Sequence, residues 1–136
     1  ARDIMVQYPV HSCTDITGFG LMGHCYEMAQ GSGCTIHIQS QQVPYHKEAY
    51  ELAQMGFIPA GAYRNRQYAQ EGVKEAVPIS RALQDIFYDP QTSGGLLISI
   101  PEDKAQECLK RLCHQIPQAQ IVGYVTEFHE KSIVLE

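Results

Sequence analysis

The sequence predicts an α/β fold of the α+β kind, a mixed β-sheet flanked by helices, and three observations predict it. Apolar residues recur at helical spacing near the start of the chain and again over residues 102–115. Short runs such as "CTIHIQ", "LLISIP", "QIVGYVTEF" and "SIVLE" alternate or stay apolar in the manner of strands. The two kinds of segment are interleaved along 136 residues, the length of one domain with room for a real core.

In order, residues 18–30 are predicted as a helix with Leu21, Cys25, Met28 and Ala29 on one face, stopped by the glycines of "GSG". Residues 34–39 follow as a strand with Ile36 and Ile38 on one side. Pro44 marks a turn, and "HKEAYELAQMG" predicts a second helix ending at Gly56. Residues 57–73, "FIPAGAYRNRQYAQEGV", show no clear period and are expected to be a long connection, of a length uncommon unless functional or mobile. A short helix begins near Pro78, with Ile79, Leu83, Ile86 and Phe87 inward. "DPQTSGG" is a turn into the strand "LLISIP", and the next helix turns Ala105, Cys108, Leu109 and Leu112 toward the core. The chain closes with two strands expected to form a hairpin around "HEK". No repeat, linker or low-complexity tract interrupts this order, and a single sheet is expected.

Composition narrows the function. A net charge of −5 argues against broad nucleic-acid binding, which needs an excess of Lys and Arg. It leaves a nucleotide open, because a divalent cation carries phosphates to acidic sites. No apolar run approaches the roughly 20 residues that span a bilayer, so no membrane partner is expected. "ARDIMVQYP" lacks the features of a signal peptide, and a first residue of Ala1 is expected of a fragment or a processed form. Five scattered cysteines with no Cys-x-x-Cys pattern point to reduced thiols and a cytoplasmic protein. A bolder alternative gathers His11, Cys13, His24 and Cys25 around zinc, but their spacing matches no familiar ligand pattern.

Three segments could carry chemistry. In "TDITGFGLMGH", Asp15 and Thr17 stand where a helix N-cap belongs, and capping is one reading of them. The other places an anion at the helix start, with Gly18 and Gly20 admitting close approach and Asp15 sharing a Mg²⁺ with phosphate. One carboxylate contributes to such a site without completing it. "QTSGG" supplies Thr92 and Ser93, in a turn or at a ligand edge. "AGAYRN" supplies Arg64, suited to phosphate oxygens or to open solvent, and Asn65. His24 is either near a ligand or a satisfied, half-buried side chain. No phosphate loop, nucleophile elbow or defensible nucleophile–base pair is present.

Together, "TDITGFGLMGH", "PAGAYRN" and "DPQTSGGLLIS" resemble the C-terminal domain of the selenophosphate synthetase (selenide, water dikinase) family, in that family's order and over nearly the whole chain. The wider superfamily includes aminoimidazole ribonucleotide synthetase, thiamine monophosphate kinase and a hydrogenase-maturation protein. The resemblance implies a parent enzyme that converts ATP, selenide and water to selenophosphate, AMP and orthophosphate, with Mg²⁺ on the nucleotide. It implies that Asp15 is the Mg²⁺ ligand from this half, with Thr17, Gly18, Arg64, Asn65, Thr92 and Ser93 near the cofactor. An N-terminal domain carrying the catalytic Cys or selenocysteine, the Lys and most of the ATP site would be the partner, in a homodimer. No catalytic residue is expected within this chain, which alone should be inactive. The rivals are a sister kinase or synthetase of the same superfamily and a non-catalytic binding module.

Overall fold

The computed structural model describes residues 1–136. Its elements, in order, are α1 (Arg2–Met5), β1 (Ser12–Asp15), α2 (Gly20–Ser32), β2 (Cys34–Ile38), α3 (Lys47–Gln54), α4 (Ala60–Ala69), β3 (Val73–Glu75), α5 (Arg81–Phe87), β4 (Leu96–Ser99), α6 (Glu102–Cys113), β5 (Gly123–Glu127) and β6 (Ile133–Leu135). Single 3-10 turns cover Ser40–Gln42 and Gln70–Gly72. The mixed α/β class agrees with the sequence, but the strands form two sheets and not one. β1 and β4 make an antiparallel ribbon, while β3, β6, β2 and β5 make a four-stranded mixed sheet in that order.

β2 is the axis of the larger sheet. It pairs antiparallel with β5 and parallel with β6, so the two C-terminal strands flank it on opposite sides. The expected hairpin therefore does not form. The crossing is fixed by Thr35, a fully buried hydroxyl that accepts from the His129 amide (2.8 Å) and donates to the Lys131 carbonyl (2.7 Å). Those two bonds satisfy backbone groups that a passing strand would otherwise leave orphaned under the sheet.

One face of this sheet carries Ile36, Ile38, Ile133 and Leu135, all buried, against Met22, Cys25 and Ala29 of α2 and Ala62 and Ala69 of α4. Helix α2 begins at Gly20, two residues later than expected, and Gly33 caps its end in the left-handed conformation (φ 62°). Segment 57–73, expected as a connection, is mostly the helix α4, a 3-10 turn and β3. The buried positions of α4 are Ala62, Asn65 and Ala69, helically spaced but small or polar, so hydropathy showed no stripe. Small side chains are what let α4 lie close to α2.

On the sheet's other face a polar cluster ties three strands. His37 stacks on Tyr124 at 4.4 Å between centroids, and the Glu136 carboxylate accepts from His37 Nδ1 (2.9 Å) and from the Tyr124 hydroxyl (3.0 Å). The His37 hydrogen bond, more than any other influence, holds Glu136 below the ordinary glutamate value of 4.5.

The start of α2 and the end of α5 meet through backbone contact that excludes side chains. Gly20 has φ +69°, and a Cβ there would stand 2.8–2.9 Å from the Tyr88 carbonyl carbon and the Asp89 oxygen. Asn65 lies at the same point. Its Nδ2 donates to the carbonyls of Gly18 and Tyr88, each at 2.9 Å, from a side chain that is nearly buried.

Three outcomes follow from these contacts. Gly20→Ala should lose roughly 2–5 kcal/mol in equilibrium unfolding, the sum of a left-handed Cβ penalty and a backbone clash. Asn65→Ala should lose about 1–3 kcal/mol, because two buried carbonyls lose their donor. Glu136→Gln should lower the unfolding midpoint at neutral pH. Because folding makes Glu136 more acidic, its contribution is complete above pH 4.5 and disappears as pH falls through the lowered folded value. The gap between variant and parent should therefore close on acidification, and a gap constant with pH would exclude this source.

Candidate functional site

Asp15 is the last residue of β1, exposed, in register with Leu96 of β4. It does not cap α2: the cap position is Phe19, which makes no side-chain capping bond. The capping reading fails because β1 ends at Asp15 and α2 begins only at Gly20. The Asp15 carboxylate takes part in no hydrogen bond or ion pair within the chain; only its backbone carbonyl accepts, from the Thr14 hydroxyl. It is close enough, with burial as the larger cause, to push the Cys13 thiol upward.

The ribbon continues one residue beyond its assigned strands. The Ile16 amide donates to Gly95 (2.9 Å), the Gly94 amide donates to Ile16 (3.1 Å), and the Gln91 amide donates to the Thr17 carbonyl (3.0 Å). These bonds lock "DITGFG" to the "QTSGG" segment, which folds as a bend with Thr92 and Ser93 exposed. Thr17 is half-buried, and Gly18 is exposed with open space where a Cβ would be. Asn65 clips this turn to Tyr88, so the structure brings Thr17, Gly18 and Asn65 together and places the loop of Thr92 and Ser93 on the same ribbon. Arg64, on α4 beside Asn65, is exposed and has no intrachain hydrogen-bond or ion-pair partner. Asn65 itself is buried, with both amide hydrogens committed to carbonyls, so it acts on the turn and offers no free donor outward.

His24 takes the satisfied, half-buried role. Its Nε2 lies 3.1 Å from the Thr17 hydroxyl and 3.4 Å from the Phe19 amide, and its Nδ1 lies 3.3 Å from Glu27 Oε2. The zinc alternative fails on placement. Cys25 is fully buried in the core, where burial pushes its thiol up to about 12, His24 is already engaged, and no three His, Cys, Asp or Glu side chains cluster to hold a metal.

Two features were not legible in the sequence. Asp89 is a second carboxylate in this loop cluster, half-buried, with Oδ1 lacking any partner and burial raising its pKa. Arg66 braces the cluster from behind, donating to Gln84 (2.7 Å) and Asp85 (2.8 Å) with its guanidinium 4.6 Å from the centre of the Tyr88 ring. The sequence signal for both was position alone, next to Pro90 and Asn65. Two surface clefts, of about 350 and 630 Å³, are lined by other residues, while Asp15, Arg64, Thr92 and Ser93 are exposed. That edge offers hard oxygen from Asp15, hydroxyls from Thr17, Thr92 and Ser93, and one free cation from Arg64.

The chain is similar to several curated proteins over its whole length. It is 46% identical over 136 residues to a selenide, water dikinase of Clostridium botulinum strain Eklund 17B, covering 100% of this chain and 39% of that protein. It is 50% identical over the same span, with the same coverage, to the selenide, water dikinase of strain Alaska E43. Against that of Treponema denticola it is 45% identical over 137 residues, covering 96% of this chain and 38% of the relative. This chain therefore spans about two fifths of the length of the relatives it matches. Among solved structures, the crystal structure of hydrogenase maturation protein HypE shares the fold, with a TM-score of 0.54 at 18% identity, covering 89% of this chain and 30% of that one. The model of the AIR synthase related protein, C-terminal domain, matches residues 1–136, and with that fold and that match the chain belongs to the AIR synthase related family as its C-terminal domain.

Proposed function

We propose that this chain is the C-terminal part of an ATP-dependent selenide, water dikinase, which turns ATP, selenide and water into selenophosphate, AMP and orthophosphate. The observation that carries the proposal is the free, exposed Asp15 carboxylate fixed at the end of β1, in a chain 46–50% identical to proteins of that name. An N-terminal domain supplies the rest of the site, in a cytoplasmic homodimer. Nucleic acid and membranes are not partners.

The residues present fit Mg²⁺. A hard cation takes one or two carboxylates and completes its shell with phosphate oxygens and water, and Asp15 is an oxygen donor with no competing partner. When bound, Mg²⁺ neutralises charge on the transferring phosphoryl groups. This chain's own part is to hold one ligand and a polar edge still. Gly18 leaves room for a phosphate to approach backbone, and Arg64, Thr92 and Ser93 supply donors toward it. Asn65 serves by pinning Gly18.

The test is phosphorus NMR of the full-length protein with Mg-ATP and selenide under anaerobic conditions. AMP, orthophosphate and a new selenide-dependent phosphorus signal are expected, whereas ADP as the only nucleotide product would move the activity to a sister kinase. Asp15→Asn should lower turnover by about 100-fold or more, matching the several kcal/mol a bound cation provides. Its unfolding free energy should stay within about 0.5 kcal/mol of the parent, as for an exposed side chain. A normal rate with normal Mg²⁺ dependence would remove Asp15 from the site.

A further inference from the structure

We propose that the 630 Å³ cleft outside the carboxyl ends of β2, β6 and β3 is a binding site of its own, for a flat, largely apolar molecule that carries no negative charge. None of Asp15, Arg64, Thr92 and Ser93 lines it, so it stands apart from the reading of Asp15 as a cation ligand.

Topology puts the cleft where it is. β6 runs parallel to β2 on one side and to β3 on the other, so all three strands end at the same border of the sheet. Chains that leave parallel strands diverge toward their next helices, and ligands of such sheets bind in the crevice this leaves. Each exit contributes to the lining: Ser40 and Gln41 follow β2, Val77 follows β3, and Glu136 follows β6.

The border is rigid. The buried Ser40 donates to the Glu136 carbonyl twice, from its amide (2.8 Å) and from its hydroxyl (2.7 Å). The Glu136 amide donates to the Ile38 carbonyl and the Ala76 amide to the Leu135 carbonyl, each at 2.8 Å, so the three strand ends are zipped together. The helices alongside are tied as well. The Tyr50 hydroxyl of α3 lies 3.1 Å from the Ser80 hydroxyl, which accepts from the Leu83 amide in the first turn of α5 (3.3 Å). A cleft held in this way needs little ordering when it is filled.

The lining sets the class of molecule. Tyr45 and Tyr50 stand with ring centroids 5.9 Å apart, and Val77, Ile79 and Leu83 add aliphatic surface. Tyr45 and Val77 are 43% and 42% exposed, apolar groups that a bound ring would take out of water. Hydroxyls and the Gln41 amide supply hydrogen bonding. No Lys, Arg or His lines the cleft, so a phosphate or carboxylate would lose its water without gaining a counter-charge. The charged residue of the lining is Glu136, whose carboxylate already accepts from His37 and Tyr124 and repels a second negative group. A nucleotide therefore does not suit this cleft, whereas a neutral or cationic aromatic ring does.

Benzamidine and benzoate test this, since they share a ring and differ in the sign of their charge. Binding to the full-length protein is followed by saturation-transfer NMR of each probe. Benzamidine should bind with a Kd of about 1 mM or tighter, within the efficiency open to so small a molecule. Benzoate should bind about 10-fold more weakly or not at all. Tyr45→Ala and Tyr50→Ala should each weaken benzamidine about 5-fold or more, the worth of an aromatic contact. Tyr45 is exposed, so its variant decides alone if Tyr50→Ala fails to fold. Val77→Arg, also at an exposed position, should weaken benzamidine and strengthen benzoate, closing the gap between them. Equal binding of the two probes, or benzamidine binding that survives Tyr45→Ala and Val77→Arg unchanged, overturns the proposal. So does the absence of benzamidine binding up to about 10 mM.

Discussion

Asn65 divides the two hydrogens of one amide between the carbonyls of Gly18 and Tyr88, and the candidate site depends on that division. The three segments it gathers are far apart in sequence. Gly18 lies in a turn with no side chain, Tyr88 closes a short helix, and α4 has little apolar surface to bind with. A buried amide satisfies two carbonyls that would otherwise be desolvated without a partner, so the interaction is costly to lose. Gly20 completes the joint, because the Tyr88–Asp89 backbone comes within 2.9 Å of where a Cβ would stand. The amide and the missing side chain are two parts of one requirement, that backbone meet backbone at this point.

Rigidity at that joint is what gives Asp15 its chemical character. The carboxylate is exposed and has no partner, a condition that by itself does nothing for stability. Its backbone is held by the β1–β4 ladder on one side, and the turn beyond it is held by Asn65 and His24. A free oxygen on a fixed backbone loses little entropy when a cation arrives, whereas the same residue on a mobile loop would have to be ordered first. The Arg66–Asp85 pair and the Tyr88 ring extend the support outward, mostly buried and at hydrogen-bond distance. The polar investment of this domain is concentrated behind the edge, and the edge itself is left unsatisfied.

How much of this was legible in the sequence varies by physical cause. The helices of Cys25 and Ala29, Phe87 and Cys108 were read from apolar periodicity, because side-chain burial writes that period directly. β1 was not read as a strand, since "SCTD" has no apolar alternation and its pairing is decided by β4, some eighty residues later. The helix α4 was hidden by Ala62, Asn65 and Ala69, whose smallness is the reason α4 packs closely and the reason hydropathy ignored it. The hairpin of β5 and β6 was the natural local expectation, and the buried Thr35 hydroxyl overrode it from ninety residues away. In the site, residue types were legible and partners were not. Asp15 was found with two roles, and only the ribbon excludes the cap. Asn65 was placed near the ligand, and its burial makes it a clip.

Asp15 is the exposed carboxylate of this edge, with Asp89 half-buried in the same loop cluster, and on the proposed Mg²⁺ reading this has a consequence for how the whole site is assembled. No three potential ligands cluster anywhere in the chain, so the edge alone offers too little to retain Mg²⁺ against water. On that proposal, further oxygens would come from nucleotide and from the partner domain, and the cation would be shared across a boundary between separately folded parts. Sharing makes the strength of the cation site depend on how the two parts sit, and a rigid contribution from one side transmits that dependence without loss. An edge with two or three carboxylates would bind metal without the nucleotide and would repel phosphate when the metal was absent. Under the same proposal, one exposed carboxylate on a fixed backbone would keep the edge only weakly charged until nucleotide and cation arrive together.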